Sequence, residues 1–479
     1  MTDTIKIASI GGGSSYTPNF AEILANYRGE FPVKEWVLMD IDQQRLEVVA
    51  GFTEKLLKSL NISIKLKTTN NLREAVSGAD FVFTTMRVGK SESRILDETI
   101  PLKHGLLLGQ ETTAPGGLAM GLRNIPAILD VAHAIEELSS PDAWLINLAN
   151  PSGMLSEALN RHSKVKFAGL CNGPTFAKEV AAGALKADPK DIFIKFMGLN
   201  HLVFARVLYK GKDVTESSLE LFDAWMQENI PPMRTEHAEL YVQKFAGWFL
   251  LAPYPRFYYL LPESIEDHIN MASHWPQFLE YSKKQFGDLL KDINASKLPT
   301  RAHFVKAIED LTMELYAEGN FEGYELVKKS RGGRGYAEAG ISLASAIWSD
   351  KYEIHGVDVP NNGSFYGLDR KDVVTATAMV NRAGIFPLAM GIEMPKHIMS
   401  FIQAAKNYEL LGVEAAVTGD YHTALEALIA NPLVISFNQA KSALDELLVA
   451  HKANLPNFAN AISILESGGD PLSATNQRR

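Results

Sequence analysis

Two side chains that could ligate a metal ion follow apolar runs in the first half of the chain. Cys171, the only cysteine among 479 residues, ends the run KFAGLC, and His201 follows IFIKFMGLN. A thiolate and an imidazole bind divalent transition ions and leave further coordination positions open to substrate oxygens. A small buried thiol and a hydrogen-bonded core histidine explain the same residues, and on spacing alone that structural interpretation is favoured.

A glycine-rich turn follows the first apolar run of the chain. The run IKIASI leads into Gly11, Gly12, Gly13, Ser14 and Ser15, with Tyr16 where a third fingerprint glycine is expected. A turn between a strand and a helix N-terminus presents backbone N–H groups to an anion such as a pyrophosphate.

Asp40 closes the next apolar run, EWVLMD. A carboxylate at that position holds the adenosine ribose hydroxyls and repels a 2′-phosphate. The turn and Asp40 together predict an NAD site.

Three further segments carry polar residues that suit a binding site. They are Asn147 to Ser152 (NLANPS), Gln110 to Gly117 (QETTAPGG) and Pro253 to Tyr259 (PYPRFYY). Each has an equally plain structural explanation: a turn, a surface loop and an aromatic core cluster.

The elements that would position these residues alternate between strand and helix in the first 200 residues. Strands are predicted near 5–10, 35–40, 64–69, 79–86, 143–150, 166–171 and 192–200, with helices near 18–27, 43–60 and 71–77. This order predicts an α/β fold with a Rossmann-like, doubly wound, mostly parallel sheet in residues 1–200. Cys171 and His201 would then lie at the carboxyl edge of that sheet.

Residues 201–479 are predicted to form a helix-rich α+β domain for substrate binding, catalysis and oligomerisation. Helical patterns cover 216–229, 261–291, 302–319, 394–411, 412–430 and 435–452. Turns are predicted at 331–335 and 360–364, where glycine and asparagine accumulate.

Composition and charge exclude several classes of protein. Apolar residues are 46% and charged residues 22%, as in a globular protein, and the net charge of −9 argues against nucleic-acid binding. With one cysteine no internal disulfide forms, and we expect a cytoplasmic protein without a signal peptide or membrane span.

Seven motifs stand in one order along the chain: GGGSSYTP (11–18), LMDID (38–42), IPLKHGLLLGQETTAPGG (100–117), NLANPSG (147–153), GLCNGP (169–174), GLNH (198–201) and PNNGS (360–364). As a set they resemble the NAD- and divalent-metal-dependent glycoside hydrolases of family 4. The resemblance spans about residues 5–450 and is strongest in the first 205.

The resemblance implies a hydrolysis that differs from the usual two-carboxylate mechanism. In this family NAD⁺ oxidises C3 of the sugar, which acidifies the C2 proton. A base removes that proton, the aglycone leaves C1, water adds, and NADH reduces C3 again. A metal ion stabilises the charge that develops at the sugar oxygens.

The resemblance also assigns site residues. Cys171 and His201 are expected to bind Mn²⁺ or another divalent transition metal, and Tyr254 is the expected C2 base, with Tyr258 and Tyr259 as alternatives. The substrate contacts are expected from Arg94, Asn150, Asn172, Asn200 and Arg256. Asn172 and Glu111 are expected to be catalytic together with Tyr254, with Glu111 in the loop beside the metal and the tyrosine, and Arg87 is predicted to contact the cofactor.

Asn172 indicates which linkage is cleaved. In the family, asparagine after the cysteine accompanies 6-phospho-β-glucosidases and aspartate accompanies 6-phospho-α-glucosidases. A carboxylic acid can protonate an axial leaving group, whereas an asparagine side chain cannot.

The residue that would bind a 6-phosphate on the sugar is not evident from the motifs. Phosphosugar members carry an arginine about where this chain has His274, and no arginine occurs in 271–284. Arg87, Arg94, Lys283 and Arg331 are the candidate replacements; otherwise the substrate is an unphosphorylated β-glucoside.

The predicted activity is thus hydrolysis of 6-phospho-β-glucosides, by a homodimer or homotetramer. A plain NAD-dependent dehydrogenase is the second hypothesis, and a non-enzymatic NAD-binding protein is the third. The paired motifs GLCNGP and GLNH disfavour the dehydrogenase.

Overall fold

The structure is a computed structural model that describes residues 4–107, 115–229, 240–250, 254–271, 287–290, 294, 298–330 and 335–474. Glu111, His274, Lys283 and Arg331 lie outside these residues.

In the described residues, one sheet of 13 strands runs through both halves of the chain, in the order β10-β8-β7-β12-β11-β6-β5-β4-β1-β2-β3, with β13 beside β12 and β9 beside β8. The first six strands are β1 (Ile5–Ile10), β2 (Val33–Met39), β3 (Lys65–Thr69), β4 (Phe81–Thr84), β5 (Trp144–Asn147) and β6 (Lys166–Gly169). They pair in parallel. Their order, 3-2-1-4-5-6, is that of a dinucleotide-binding fold, as predicted.

The remaining strands are antiparallel to their neighbours. They are β7 (Ile192–Leu199), β8 (Leu202–Tyr209), β9 (Lys212–Asp213), β10 (Phe249–Leu250), β11 (Glu353–Pro360), β12 (Val373–Asn381) and β13 (Gly384–Pro387). Strand β11 pairs with β6, and β12 pairs with both β11 and β7. The second half of the chain therefore extends the first half's sheet.

Helices in the described residues span Thr17–Tyr27, Gln43–Ser59, Leu72–Val76, Lys90–Lys103, Pro115–Leu138, Ser152–His162, Gly173–Leu185, Thr215–Asn229, Leu240–Ala246, Tyr254–Phe257, Leu261–Ile269, Arg301–Ala317, Phe321–Ser330, Tyr336–Ser349, Lys396–Thr418, Tyr421–Ala430, Phe437–Ala450, Ala459–Glu466 and Pro471–Ala474. None of the helices in that part of the chain is long and apolar enough to cross a membrane.

Two hydrophobic cores lie on opposite faces of the parallel strands. Successive residues of β1 alternate between them: Ala8 belongs to the core that contains Leu122, and Ile7 to the core that contains Phe20. Helices from the second half enter both cores, through Val413 on one face and Ile341 on the other. This burial on both faces explains the near-continuous apolar runs of the parallel strands.

Several predicted elements differ from the observed ones. The helices expected at 394–411 and 412–430 are one helix to Thr418 and a second from Tyr421, because Gly419 (φ +71°) ends the first helix in the left-handed conformation. Strands β8, β11 and β12 were not predicted. Within the predicted helical range 261–291, the described residues form an α-helix over Leu261–Ile269 and a 3₁₀ helix over Gly287–Leu290, and residues 272–286 and 291 lie outside the described part.

Candidate active site

The glycine turn packs tightly against the ends of β2 and β4. Gly11 has φ +89°, and a Cβ on it would lie 2.7 Å from the backbone nitrogen of Met86. The N–H groups of Gly11 and Gly12 both donate to the carbonyl of Met39, at 2.9 and 2.7 Å. These glycines are therefore required by close backbone packing, and their N–H groups are already used within the turn.

Asp40 lies directly beside this turn. Its Oδ2 accepts the N–H of Gly13 at 2.9 Å, and its Oδ1 accepts the N–H of Asp42 at 3.0 Å. Ser14 and Ser15 follow in the same turn, and the helix Thr17–Tyr27 begins directly after it. The predicted cofactor residues of β1 and β2 are thus adjacent.

Cys171 and His201 come together, although different strands precede them. The Cys171 Sγ lies 3.7 Å from the His201 Nε2. The backbone N–H of Gly173, the first residue of the helix Gly173–Leu185, donates to the same sulfur at 3.4 Å. A helix N-terminus and a donated N–H both favour negative charge on sulfur.

His201 occupies a two-residue turn between β7 and β8. Leu199 and Leu202 are the last paired residues, and His201 has φ +65°. A Cβ on Gly198 would lie 2.1 Å from the carbonyl oxygen of Leu202, so only glycine fits there. A non-glycine residue in the left-handed region is uncommon and often marks a functional site.

The sequence predicted that Cys171 and His201 meet because both follow strands that end at the carboxyl edge of one parallel sheet. The strand directions show that this explanation is wrong. Strand β7 is antiparallel to β12, which reaches β6 through β11 by two further antiparallel pairings, so β7 and β6 run in opposite directions. The side chain of Asn200 shows how the turn is held: its Nδ2 donates to Asp358 Oδ2 at 2.9 Å. The turn at His201 reaches Cys171 by folding toward β11, and not along a shared carboxyl edge.

Tyr254 is the tyrosine of the PYPRFYY segment that contacts the pair. Its ring centroid lies 4.4 Å from that of His201, at an interplanar angle of 45°. The Tyr258 hydroxyl is buried, although its side chain as a whole is only half-buried, and burial raises its pKa. Burial likewise raises the pKa of Tyr259, whose hydroxyl lies 3.2 Å from His397 Nε2. Neither alternative has a described contact with Cys171 or His201.

The predicted substrate arginines pair with carboxylates. Arg94 Nε donates to Glu98 Oε1 at 3.0 Å, and Arg256 Nη2 donates to Asp267 Oδ2 at 2.7 Å. Arg256 is buried in the short helix that begins at Tyr254. Arg87 follows Met86, the residue against which Gly11 packs.

The predicted asparagines lie around the sulfur and the β5 end. The Oδ1 of Asn172 lies 3.7 Å from Cys171 Sγ. The carbonyl of Asn150 accepts the Nδ2 of Asn124 at 2.8 Å, which fixes the backbone after β5. The side chain of Asn200 is buried. The roles of these side chains remain predictions.

Two buried groups near the site were not predicted. Asp358 on β11 accepts hydrogen bonds from three side chains, and Lys406 forms ion pairs with Glu157 and Glu409 in the interior. A charged residue within the apolar run VDVP (357–360) was the available signal for Asp358. The ion pairs of Lys406 with Glu157 and Glu409 could not be predicted, because the sequence of the helix Lys396–Thr418 does not show that this helix lies in the interior.

The donor set at Cys171 and His201 fits a divalent transition ion. Bonds of about 2.3 Å to sulfur and about 2.1 Å to nitrogen, meeting at a tetrahedral angle, place the two donor atoms about 3.6 Å apart. The described residues contain no group of three or more Cys, His, Asp and Glu side chains around a common point. Two protein ligands leave coordination positions for substrate oxygens.

Comparisons with known proteins show the family of this chain. Residues 6–187 match the family 4 glycosyl hydrolase model, and residues 196–434 match the model of its C-terminal domain. The chain is 38% identical over 468 residues to a probable 6-phospho-beta-glucosidase of Bacillus subtilis (96% of this chain, 100% of that protein). It is 34% identical over 473 residues to the 6-phospho-beta-glucosidase of Escherichia coli (97% and 99%).

Solved structures of 6-phosphoglucosidases also match this chain. The 6-phospho-beta glucosidase of Thermotoga maritima with manganese, NAD⁺ and glucose-6-phosphate matches with a TM-score of 0.78 and 29% identity, over 94% of this chain and 99% of that one. A 6-phospho-alpha-glucosidase from gut microorganisms, with NAD and glucose-6-phosphate, matches with a TM-score of 0.82 and 27% identity, over 95% and 99%. The chain therefore belongs to glycosyl hydrolase family 4.

Proposed function

We propose that this protein hydrolyses 6-phospho-β-glucosides with NAD and a divalent metal ion, Mn²⁺ foremost. The observation that carries the proposal is one cluster: Cys171 Sγ lies 3.7 Å from His201 Nε2, and the Tyr254 ring lies 4.4 Å from the imidazole ring. The family supplies the reaction type, and the relatives' names supply the phosphorylated β-glucoside.

Cys171 and His201 would hold the metal ion. When bound, NAD⁺ supplies reversible hydride acceptance, and the metal ion supplies positive charge beside the oxygens of the sugar. The Gly11 turn and Asp40 would orient the nucleotide, with Asp40 on the ribose hydroxyls.

Tyr254 would remove the proton from C2 of the sugar. Its ring contacts the imidazole of His201, the proposed metal ligand, and this contact supports a position of Tyr254 next to the sugar carbon that would lose its proton. A phenol has an ordinary pKa near 10 and needs adjacent positive charge to act as a base near neutral pH. The metal ion and Arg256 are the sources of that charge.

The substrate side of the proposal rests on Asn172 and two arginines. Asn172 is adjacent to the sulfur and cannot donate a proton as a carboxylic acid does, which favours β-linked substrates. Arg94 and Arg256 are the described cations that we assign to the substrate, and the 6-phosphate is assigned from the relatives' names.

We infer that the enzyme works in the cytoplasm as a homodimer or homotetramer. The single thiol must stay reduced to bind a metal, which suits a reducing compartment. Large exposed apolar side chains, such as Phe245 (71% exposed) and Ile435 (79%), suit burial between subunits. Residues 1–200 and 201–479 are proposed to act as the nucleotide and substrate domains, on the sheet that they share.

A substrate panel tests this function. We expect p-nitrophenyl β-glucoside 6-phosphate to be cleaved only with NAD⁺ and Mn²⁺ both present, with the unphosphorylated and α-linked analogues turned over far more slowly. A chelator should abolish the reaction, and Mn²⁺ should restore it. Turnover that survives exhaustive chelation contradicts the proposal, and stoichiometric release of NADH would indicate a dehydrogenase.

A further inference from the structure

Asp358 lies on the strand between the two metal-binding segments. In the main-chain ladder it is opposite Gly169, two residues before Cys171, and on its other side it is opposite Thr375. Thr375 in turn is opposite Gly198, which lies in β7 three residues before His201. One row across the sheet thus connects the segments that carry the two ligands.

The Asp358 carboxylate links three separate elements. Its Oδ2 accepts from Ser152 Oγ at 2.7 Å and from Asn200 Nδ2 at 2.9 Å. Its Oδ1 accepts from Thr375 Oγ1 at 2.6 Å. Asn200 is the residue before His201, so one of these bonds restrains the His201 turn directly.

Asp358 is buried and packs closely against the backbone of Gly169. Asp358 is 1% exposed, and a Cβ on Gly169 would lie 2.9 Å from the Asp358 Cβ and 2.2 Å from Ser156 Oγ. A buried carboxylate that lost its donors would carry a large desolvation cost, which keeps the hydrogen bonds together. The position of Asn200 is therefore tied to that of β11.

We propose that Asp358 is a positioning residue that sets the distance between Cys171 and His201. It holds the strained turn at His201 by accepting the Asn200 amide, and its strand holds the segment before Cys171. The proposal rests on the proposed function, because the distance matters only where the two side chains share a metal ion. Groups that orient metal ligands are commonly worth about 10- to 100-fold in metal affinity.

Two substitutions of Asp358 are expected to differ in how much they weaken metal binding. Asp358→Ala removes all three acceptor contacts and should weaken metal binding about 10- to 100-fold. Asp358→Asn should recover most of that loss, because its amide oxygen accepts from Ser152 and Asn200 while its NH₂ group donates to Thr375 Oγ1.

A matched threonine pair on β12 keeps the test valid if Asp358→Ala fails to fold. Thr375→Val removes one donor to Asp358 and should weaken metal binding about three- to tenfold. Thr377 is buried two residues further on and bonds Phe196 N and Ile194 O instead. Thr377→Val should lower thermal stability and leave metal affinity within about twofold of wild type.

Metal affinity is read without turnover, by titrating Co²⁺ and following the thiolate-to-cobalt absorption, with Cys171→Ala as the blank. The expected order of affinity is wild type and Thr377→Val, then Asp358→Asn, then Thr375→Val, then Asp358→Ala. Three results would overturn the inference and leave the proposed function standing. They are equal losses of Co²⁺ affinity in Thr375→Val and Thr377→Val, wild-type Co²⁺ affinity in folded Asp358→Ala, and a Co²⁺ affinity in Asp358→Asn as low as that in Asp358→Ala. No thiolate band in wild type would overturn the metal site and the inference together.

Discussion

The Tyr254 ring lies 4.4 Å from the imidazole of His201, at an interplanar angle of 45°. Of the three tyrosines that the sequence offers as the base, this one alone has a described contact with the candidate metal ligands. The Tyr258 hydroxyl is buried and its ring packs against Phe401, and the hydroxyl of Tyr259 is near His397. Because of this contact, we predict that Tyr254, and not Tyr258 or Tyr259, is the base.

Removing the Tyr254 hydroxyl should stop proton transfer and spare binding. Tyr254→Phe is expected to lower kcat by about 10²- to 10⁴-fold, as loss of a general base does, with NAD and metal affinities retained. Tyr259→Phe is the matched control and should stay near wild type. Steady-state kinetics on the phosphorylated β-glucoside checks both, and the reverse pattern would move the base to Tyr259.

Asp40 should control the choice of nucleotide. Asp40→Ala removes the carboxylate that holds the Gly13 N–H and that we place on the ribose, so the Kd for NAD⁺ should rise about 10- to 100-fold and the preference over NADP⁺ should fall. Asp80, whose carboxylate accepts the N–H of Lys6 at 2.9 Å, provides the control Asp80→Ala. Fluorescence titration measures the Kd values. Equal effects of both substitutions would mean general destabilisation.

The residue after the cysteine should bias the linkage. Asn172→Asp introduces an acid that can protonate an axial leaving group, and it also places a carboxylate about where Oδ1 lies 3.7 Å from the sulfur. We expect the ratio of α- to β-glucoside kcat/KM to rise by about tenfold, mainly through loss of β activity. Paired assays on α- and β-linked phosphorylated substrates give the ratio. An unchanged ratio would remove Asn172 from the specificity argument.

Glu409 should make stability depend on pH near neutrality. Burial raises the pKa of Glu409 to about 7 from 4.5, against the opposing effect of Lys406. The folded state therefore binds this proton more tightly than the unfolded state. The contribution is complete below about pH 4.5 and is lost as the pH rises through 7.

Urea unfolding between pH 5 and pH 8 checks this expectation. The free energy of unfolding of wild type should fall with rising pH relative to that of Glu409→Gln, which has no carboxyl group to ionise. Parallel curves for the two proteins would show that Glu409 does not carry the effect.

Sequence patterns were sufficient for the parallel half of the sheet, because every strand there except β3 is an apolar run and strands alternate with helices along the chain. They failed for β11 and β12, since these strands enter the sheet between β6 and β7 from residues far along the chain. Cys171 and His201 could be paired by resemblance, whereas the role of β11 in bringing them together depends on that insertion.

Buried charge was harder to predict from the sequence. The place of Asp358 within the apolar run VDVP was a signal of burial, but its partners, like those of Lys406, are evident only in the fold, because an isolated charged residue in a sequence predicts a solvated surface. The motif PNNGS illustrates the reverse case: the Asn361 side chain donates to the Phe365 and Leu368 carbonyls and accepts the Phe365 N–H. This motif residue thus closes a loop after β11.

The account depends most on the breaking of the C2–H bond during hydrolysis. The direct test is turnover of a phosphorylated β-glucoside in D₂O with NAD⁺ and Mn²⁺, followed by NMR of the sugar product at C2. We predict deuterium at C2 of the released glucose 6-phosphate. In Tyr254→Phe, the total amount of labelled product should fall together with the rate of hydrolysis. Full turnover with only protium at C2 would contradict deprotonation, and with it the proposed role of Tyr254.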